Sequence, residues 1–173
     1  AEAINAEHIR RLAPADFAGR LVPYLQSAGV LGPEPSAAQL VILDQATPLV
    51  QTRMQLLGEA AGLLGFLFVA DAELVIEADA LGQVTKDPES AGAVLDAAAA
   101  ALADVSWDVA TLEATLRSAI VEGLGVKPKL AFTPLRVAVS GRRISPPLFE
   151  SMQILGREAT LARLTALRAR LTA

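Results

Sequence analysis

Apolar and polar positions follow one another along this chain with the three- and four-residue spacing of amphipathic helices. No stretch alternates strictly from residue to residue over the length that argues for a sheet. The pattern therefore predicts an all-α fold of two packed helical subdomains built as helical bundles. The predicted helices cover residues 3–12, 16–28, 37–46, 48–57, 60–69, 90–104, 108–122, 129–139, 148–155 and 157–171.

Local signals place the ends of these helices. Ser36, Ser106 and Ser145 are expected N-caps, because a serine oxygen can accept a hydrogen bond from a backbone N–H of the first turn. Thr47 followed by Pro48 predicts a separate helix start, since proline is well tolerated at the first helical position. Glycines that follow the last apolar position predict the C-terminal ends.

An acidic stretch over residues 71–88 lacks a sustained helical pattern and is predicted to be a looser segment. We place the domain boundary at its start. Residues 1–70 are then the first helical subdomain, and residues 71–173 are the second.

The charge is distributed unevenly along the 173 residues. Residues 1–126 hold six basic and 17 acidic side chains, a net charge of −11, whereas residues 127–173 hold nine basic and two acidic ones, a net charge of +7. This asymmetry indicates a C-terminal end that faces a polyanion. The alternative is a solvated basic helix, and charge alone does not decide between the two.

Composition excludes several kinds of chemistry. The chain has no cysteine and a single histidine, His8, which leaves no thiolate site and no multi-histidine metal site. It also lacks the glycine-rich phosphate loops and the H-E-x-x-H motif. No apolar run reaches the roughly 18 residues of a membrane span. We therefore expect a cytoplasmic protein with no membrane partner, no metal site and no catalytic residue.

Three segments near the C-terminus carry a resemblance to a known family. They are Pro134-Leu135-Arg136-x-Ala138-x-Ser140-Gly141, Ser145-Pro146-x-Leu148-Phe149 and Leu155-Gly156-Arg157-Glu158. This pattern resembles the end of bacterial glutamyl-tRNA synthetases, which are class I aminoacyl-tRNA synthetases. Weaker similarities extend the resemblance over essentially the whole chain, at Ile4-Asn5-Ala6-Glu7-His8-Ile9-Arg10, at residues 20–25, at residues 49–53 and at Trp107 with Leu112 and Leu116.

The resemblance implies the anticodon-binding region of such an enzyme. The family ligates glutamate to its tRNA with ATP and Mg²⁺, but its H-I-G-H and K-M-S-K-S type elements are missing here. This chain is therefore expected to be inactive alone and to need no cofactor. Its expected partners are glutamate tRNA, glutamine tRNA if the parent tolerates it, and the catalytic domain of the same polypeptide, but not DNA.

The resemblance also implies roles for individual residues. Arg53, on a predicted helix, matches the position that recognises the third anticodon base, where cytosine distinguishes glutamate from glutamine tRNA. The positions of Arg136, Ser145 and Leu148 match the pocket for the other two bases. An arginine suits cytosine because its planar fork offers several donors at fixed geometry. The candidate phosphate contacts are Arg142, Arg143 and Arg157.

Other interpretations stay open at this point. Arg136 could pair with an acid of its own fold, and Arg53 with Glu59 or Asp44. The C-terminal arginines are expected to form a solvated basic face that attracts phosphate without specificity; they are Arg157, Arg163, Arg168 and Arg170. Two other classes of function are a basic helical protein-interaction module and a helical regulator that binds duplex DNA.

Overall fold

The structure of the protein is a computed structural model that describes residues 6–172. This part of the chain is all-α and contains no strand. It divides into two compact units, the first ending at Val69 and the second beginning at Ala70. No helix among residues 6–172 is long and apolar enough to cross a membrane.

The first unit packs four helices around an apolar core in which α2 contacts both α3 and α4. The helices are α1 (Ala6–Arg11), α2 (Pro14–Ser27), α3 (Ala37–Val50) and α4 (Ala60–Leu64), with 3₁₀ turns at Leu57–Glu59 and Gly65–Leu67. The fully buried side chains include Ile9, Phe17, Leu21, Leu25, Leu43, Met54 and Leu64. His8 is exposed, whereas the next residue, Ile9, is buried. Ile4 and Asn5 lie outside the described residues.

The second unit packs α10 against α6, α8 and α9, and α5 against α8. Its helices are α5 (Ala78–Thr85), α6 (Pro88–Leu102), α7 (Val109–Leu116), α8 (Pro128–Ser140), α9 (Leu148–Leu155) and α10 (Arg157–Leu171). A 3₁₀ turn at Asp71–Glu73 precedes them, and a π-helical segment at Arg117–Glu122 continues α7. The buried side chains include Leu95, Leu102, Leu112, Leu116, Ile120, Leu135 and Leu167.

Several predicted boundaries are confirmed. Ser36 caps α3 through a full capping box, in which its side chain accepts from the Gln39 N–H and the Gln39 side chain accepts from the Ser36 N–H. The bounds of α9 and α10 match the prediction, and Gly156 between them has a φ of 87° that favours glycine. These ends depend on neighbours within a few positions, so the local sequence determines them.

The prediction that a new helix starts at Pro48 is wrong, because α3 continues through Pro48 to Val50. A proline inside a helix leaves the carbonyl four residues earlier without its N–H donor. Here that carbonyl belongs to Asp44, and the Thr47 hydroxyl donates to it at 3.3 Å. The same Thr–Pro pair that predicts a helix start therefore lets the existing helix continue.

The segment predicted to be loose, residues 71–88, contains α5 instead. Only Ala80 and Val84 of this helix are buried, a short stripe of small side chains that contacts α8. A second correction concerns Ser106, because Asp108 is the N-cap of α7. Its Oδ1 accepts from the Thr111 N–H at 2.9 Å and its Oδ2 from the Thr111 hydroxyl at 2.9 Å. These two hydrogen bonds lower the pKa of Asp108 below its usual value of 3.8.

Arg163 contradicts the predicted solvated basic face, since only 2% of the residue is exposed. Its Nε donates to Asp71 Oδ1 at 2.7 Å and its Nη1 donates to the Val139 carbonyl oxygen at 2.7 Å. A charge at this depth is tolerated because it is paired and hydrogen-bonded. Arg168 is also paired, with Asp96 at 3.0 Å. Arg170 lies exposed in the last turn of α10.

The segment before α5 is held against the end of α8. The Glu77 N–H donates to the Gly141 carbonyl oxygen at 2.8 Å, and Gly141 adopts a left-handed φ of 75°. A Cβ atom at position 141 would overlap the Val75 carbonyl oxygen. Glycine is therefore required twice at this position, for its φ and for the close approach of the two backbones. The start of α5 is thereby placed beside the loop that follows α8.

Candidate functional site

The centre of the candidate site is the contact between Arg136 on α8 and the loop that leads to α9. Arg136 Nη1 donates to Ser145 Oγ at 2.6 Å, to the Pro146 carbonyl oxygen at 2.9 Å and to the Ser145 carbonyl oxygen at 3.2 Å. The planar guanidinium can serve several acceptors of one turn at once. The sequence places both residues at the site, and the structure brings them into direct contact.

Ser145 is not the N-cap of α9, which corrects the prediction. Pro147 occupies the N-cap position and makes no side-chain cap hydrogen bond. Ser145 is 6% exposed, and its hydroxyl accepts from Arg136. The cap assignment is wrong because α9 begins at Leu148, three residues after Ser145, so the residue that directly precedes the helix is Pro147. The role of Ser145 is therefore to hold the Arg136 guanidinium.

The loop between α8 and α9 starts with a compact turn. The Ser140 hydroxyl donates to the Arg136 carbonyl oxygen at 2.8 Å and accepts from the Arg142 N–H at 3.2 Å. Together with the left-handed Gly141, these bonds reverse the chain directly after the helix. As a result Arg142 and Arg143 are directed toward the same side of the unit as Arg136.

These arginines line a cavity of about 570 Å³. Its walls come from α5, α8 and the loop after α8, and are formed by Glu77, Asp79, Gln83, Lys129, Thr133, Arg136, Val137, Arg142, Arg143 and Ile144. Four cationic side chains face two carboxylates, so the cavity has an excess of positive charge. An open cavity of this size, with many polar donors, suits an anionic polar ligand better than an apolar one.

Both carboxylates of the cavity are paired with arginines of the loop. Arg142 Nε lies 3.4 Å from Glu77 Oε1, and Arg143 Nη1 lies 4.0 Å from Asp79 Oδ2. The side-chain amide of Gln83 is oriented with its oxygen toward Arg143. This oxygen accepts hydrogen bonds from Nε and Nη2 of Arg143 at 3.0 Å each. The four charged side chains of these pairs are about half exposed, so an incoming anion can compete with the carboxylates. The α5 helix thus orients the two arginines.

Leu148 does not line this cavity and is 5% exposed. Its side chain is therefore part of the core rather than an open apolar face. Phe149, the next residue, packs edge-on against Phe132 with ring centroids 5.5 Å apart, and the Arg117 guanidinium lies 5.2 Å from the Phe132 ring centroid. These contacts hold α9 against α8 and so support the loop that joins the two helices.

Arg157 lies away from the cavity, at the start of α10. Its Nη2 donates to the Val105 carbonyl oxygen, and its guanidinium lies 5.3 Å from the centroid of the Trp107 ring. Trp107 Nε1 in turn donates to the Met152 carbonyl oxygen at 2.8 Å. Arg157 therefore connects the segment before α7 to α10, and the structure does not bring it together with Arg142 and Arg143.

Arg53 belongs to the first unit. It is exposed and lies in the turn after α3, where its N–H donates to the Val50 carbonyl oxygen at 2.9 Å. The predicted helix over this residue is wrong, because α3 ends at Val50. A turn position leaves the long side chain on the surface of this unit.

Sequence reasoning did not identify seven of the residues that line the cavity: Glu77, Asp79, Gln83, Lys129, Thr133, Val137 and Ile144. Three of them lie on or next to α5, in the stretch predicted to be loose. The apolar residues Ala80 and Val84 are four positions apart, which is a helical spacing that could have revealed α5. Glu77, Asp79 and Gln83 stand just before this helix or within it. Among residues 6–172 no group of histidine or carboxylate side chains could hold a metal ion.

The sequence matches the family of the anticodon binding domain over residues 16–168. This chain belongs to the anticodon-binding domain family. The match covers most of both units and includes every candidate residue named above. It also confirms the family that the C-terminal motifs predict.

Relatives with this anticodon-binding domain include two glutamate–tRNA ligases. The chain is 66% identical over 172 residues to that of Kineococcus radiotolerans and 57% identical over 174 residues to that of Kocuria rhizophila. These alignments cover 99% and 100% of the chain but 34% of each relative. The chain therefore spans about a third of the length of the curated relatives it matches.

Solved structures share the fold of this anticodon-binding domain. A glutamate tRNA ligase from Elizabethkingia meningosepticum superposes with a TM-score of 0.75 and 17% identity, covering 96% of this chain and 31% of that one. A glutamate–tRNA synthetase from Elizabethkingia anophelis superposes with a TM-score of 0.74 and 15% identity, covering 95% of this chain and 30% of that one. The helical arrangement is thus retained although few residues are identical.

Proposed function

We propose that this anticodon-binding domain binds the anticodon loop of a glutamate tRNA as the C-terminal part of a glutamate–tRNA ligase. The observation that carries the proposal is the Arg136–Ser145 contact at the edge of a cation-lined cavity, in a chain of this family. Anticodon bases are single-stranded, so they can be turned outward and recognised by hydrogen bonds to their edges.

In this proposal the second unit binds the first two anticodon bases. Arg136 lines the cavity, and its guanidinium is held in one orientation by Ser145 and Pro146. A donor that is already oriented loses little conformational entropy when a base arrives. Leu148 is buried, so in this proposal it supports the start of α9 from the core and does not contact a base.

Arg142 and Arg143 supply the charge that attracts the RNA backbone. Each exchanges a half-exposed carboxylate partner, Glu77 or Asp79, for a phosphate oxygen. Because Arg157 is engaged with Val105 and Trp107, we assign it a structural role and leave the phosphate contacts to Arg142 and Arg143.

Arg53 of the first unit is the proposed specificity residue for the third base. Its exposed turn position allows the guanidinium to donate to the O2 and N3 acceptors of cytosine. Guanine at that position offers a different set of groups, and a buried donor left unpaired costs about 1–3 kcal/mol. A tRNA for glutamine carries guanine there and would be disfavoured.

The reaction itself belongs to the rest of the enzyme. We infer that the parent protein ligates glutamate to tRNA with ATP and Mg²⁺ in the cytoplasm, and that the catalytic domain of the same polypeptide supplies those binding sites. The present chain then positions the tRNA and is inactive alone.

The decisive experiment measures binding of the chain to an anticodon stem-loop with C at the third anticodon position and to the same RNA with G there. We expect a preference for C of roughly tenfold, equivalent to about 1.4 kcal/mol. Arg53→Ala should abolish the preference, while Arg20→Ala, which removes another exposed arginine of the first unit, should retain it. Arg136→Ala should weaken binding to both RNAs.

The other results are equally informative. Equal binding to both RNAs would indicate a parent enzyme that accepts both tRNAs and would remove the specificity role of Arg53. No binding to either RNA at low salt would contradict the proposal and favour a protein-interaction module. Stronger binding to duplex DNA than to the stem-loop would favour a DNA-binding regulator.

A further inference from the structure

A second cavity of about 350 Å³ lies beside the first one in the second unit. The two share Gln83, Lys129 and Thr133 in their walls, so they form neighbouring parts of one surface depression between α5 and α8. We call this second cavity the α5–α8 groove. Neither the anticodon-base contacts nor the arginine pairs described above use it.

Two lysines line the groove, Lys86 at the C-terminal end of α5 and Lys129 in the first turn of α8. Neither ammonium group forms a hydrogen bond or an ion pair with residues 6–172. Asp87 also lines the groove, but its Oδ1 accepts from the Ser90 N–H at 3.1 Å as the cap of α6. The groove therefore offers two cations to a ligand and one carboxylate that is engaged in capping.

The remainder of the groove is apolar. Leu130 lies in its wall with 62% of its surface exposed, beside Pro134, while Val84 and Ala91 are buried there at 2% and 5% exposure. The groove thus combines two cations with an exposed apolar side chain, and a nucleotide combines an anionic phosphate with a less polar sugar and base. The phosphate carries the charge that the lysines complement, and the sugar and base carry flat surface that can cover Leu130.

We propose that the α5–α8 groove binds one nucleotide of the RNA chain next to the bases held in the Arg136 cavity. Its phosphate lies against Lys86 and Lys129, and its ribose or base lies over Leu130. This inference rests on the proposed function, because the occupant is the continuation of the same RNA strand. The shared wall between the two cavities and the charge of the groove both favour that occupant over a protein segment.

The test compares the salt dependence of stem-loop binding for the unaltered chain, Lys86→Ala/Lys129→Ala and Lys127→Ala. Lys127 is an exposed lysine two residues before Lys129 that lines neither cavity, so it controls for a general loss of charge. The slope of log K against log salt is negative, and loss of one phosphate contact to a single strand decreases its magnitude by about 0.7. We expect that decrease and an affinity loss of about tenfold at low salt for the double variant, with a much smaller change for Lys127→Ala.

A second measurement identifies the phosphate. Anticodon stem-loops with one uncharged methylphosphonate at successive loop positions are bound to the unaltered chain and to the double variant. At one loop position the methylphosphonate should weaken binding to the unaltered chain but not to the double variant. The reason is that the methylphosphonate and the lysine substitutions remove the same contact. Leu130→Ala should weaken binding by about fivefold through lost apolar contact without changing the salt slope.

The outcomes separate this inference from the proposed function. If the unaltered chain binds the stem-loop while the double variant keeps its affinity and slope, the groove is not a nucleotide site and the anticodon proposal stands. An equal loss in Lys127→Ala, or the absence of any methylphosphonate position that depends on the lysines, would also overturn the inference. If the unaltered chain does not bind the stem-loop at all, both proposals fail.

Discussion

Arg163 in α10 and Asp71 before α5 form an ion pair of 2.7 Å across 92 positions of the chain. The Arg163 side chain is 1% exposed, whereas that of Asp71 is 37% exposed. The pair therefore connects a buried charge to a partner near the surface. Together with the Glu77–Gly141 backbone hydrogen bond, it holds the start of the second unit against α8 and α10.

Removing the carboxylate should destabilise the second unit. We expect Asp71→Ala to lower the free energy of unfolding by about 3 kcal/mol, because it removes the carboxylate that is paired with the buried Arg163 guanidinium. Trp107 is the single tryptophan and lies in this unit, so its fluorescence during urea unfolding measures the change. Asp96→Ala breaks the exposed pair with Arg168 and should cost at most about 1 kcal/mol. Equal effects of the two substitutions would contradict the structural role of Asp71.

Gly141 should be far less tolerant of a side chain than Gly125. Both have a left-handed φ, of 75° and 68°, but a Cβ atom at position 125 would meet nothing within 4 Å. Gly125→Ala should therefore lower the free energy of unfolding by about 1–2 kcal/mol, which is the cost of a left-handed φ for a residue with a Cβ atom. Gly141→Ala should cost about 1–3 kcal/mol more, because its Cβ atom must displace the Val75 backbone. Urea unfolding monitored by Trp107 fluorescence gives both values, and equal costs would show that the two segments separate easily.

The carboxylates of α5 should oppose RNA binding. Glu77→Gln/Asp79→Asn removes the partners that Arg142 and Arg143 must release to bind phosphate. We expect the double variant to bind an anticodon stem-loop about three- to tenfold more tightly at low salt, with a smaller gain at high salt. Glu89→Gln/Glu122→Gln removes two exposed carboxylates that do not line the cavity and serves as the control for net charge. Weaker binding by the α5 variant would mean that the carboxylates mainly orient the arginines.

Acid should weaken the start of α7 through Asp108. Its pKa lies below the usual 3.8 because the Thr111 N–H and hydroxyl donate to the ionised carboxylate. The contribution to stability is therefore present above the unfolded pKa and is lost as the pH falls through the lowered folded value. Asp108→Asn keeps an N-cap oxygen without the charge, so its urea midpoint should fall less steeply with pH below 3.8. Asp104→Asn removes a nearby exposed carboxylate and should leave the steeper acid dependence in place.

The local sequence was sufficient to predict the features that depend only on residues nearby in the chain. The N-cap at Ser36, the ends of α9 and α10, and the C-terminal motif around Arg136 were all predicted. Each involves hydrogen bonds or backbone preferences within a few residues. The all-α class follows from the same local periodicity.

Tertiary contacts decided the features that sequence reasoning missed. The helix α5 forms because Ala80 and Val84 are buried where this helix contacts α8. Pro48 is different, because the hydrogen bond from the Thr47 hydroxyl to the Asp44 carbonyl oxygen is local to α3 and was overlooked in the sequence. Ser145 contacts Arg136 instead of capping α9, which depends on how the loop after Gly141 folds back.

The sequence by itself determined the helical class, the family and the residues that carry positive charge at the C-terminal end. Only the tertiary structure decided which of those charges are available to a ligand. Arg163 is buried against Asp71, Arg157 is engaged with Val105, and Arg142 and Arg143 line a cavity. The physical reason is that burial and pairing depend on residues distant in sequence, whose positions a linear pattern does not contain.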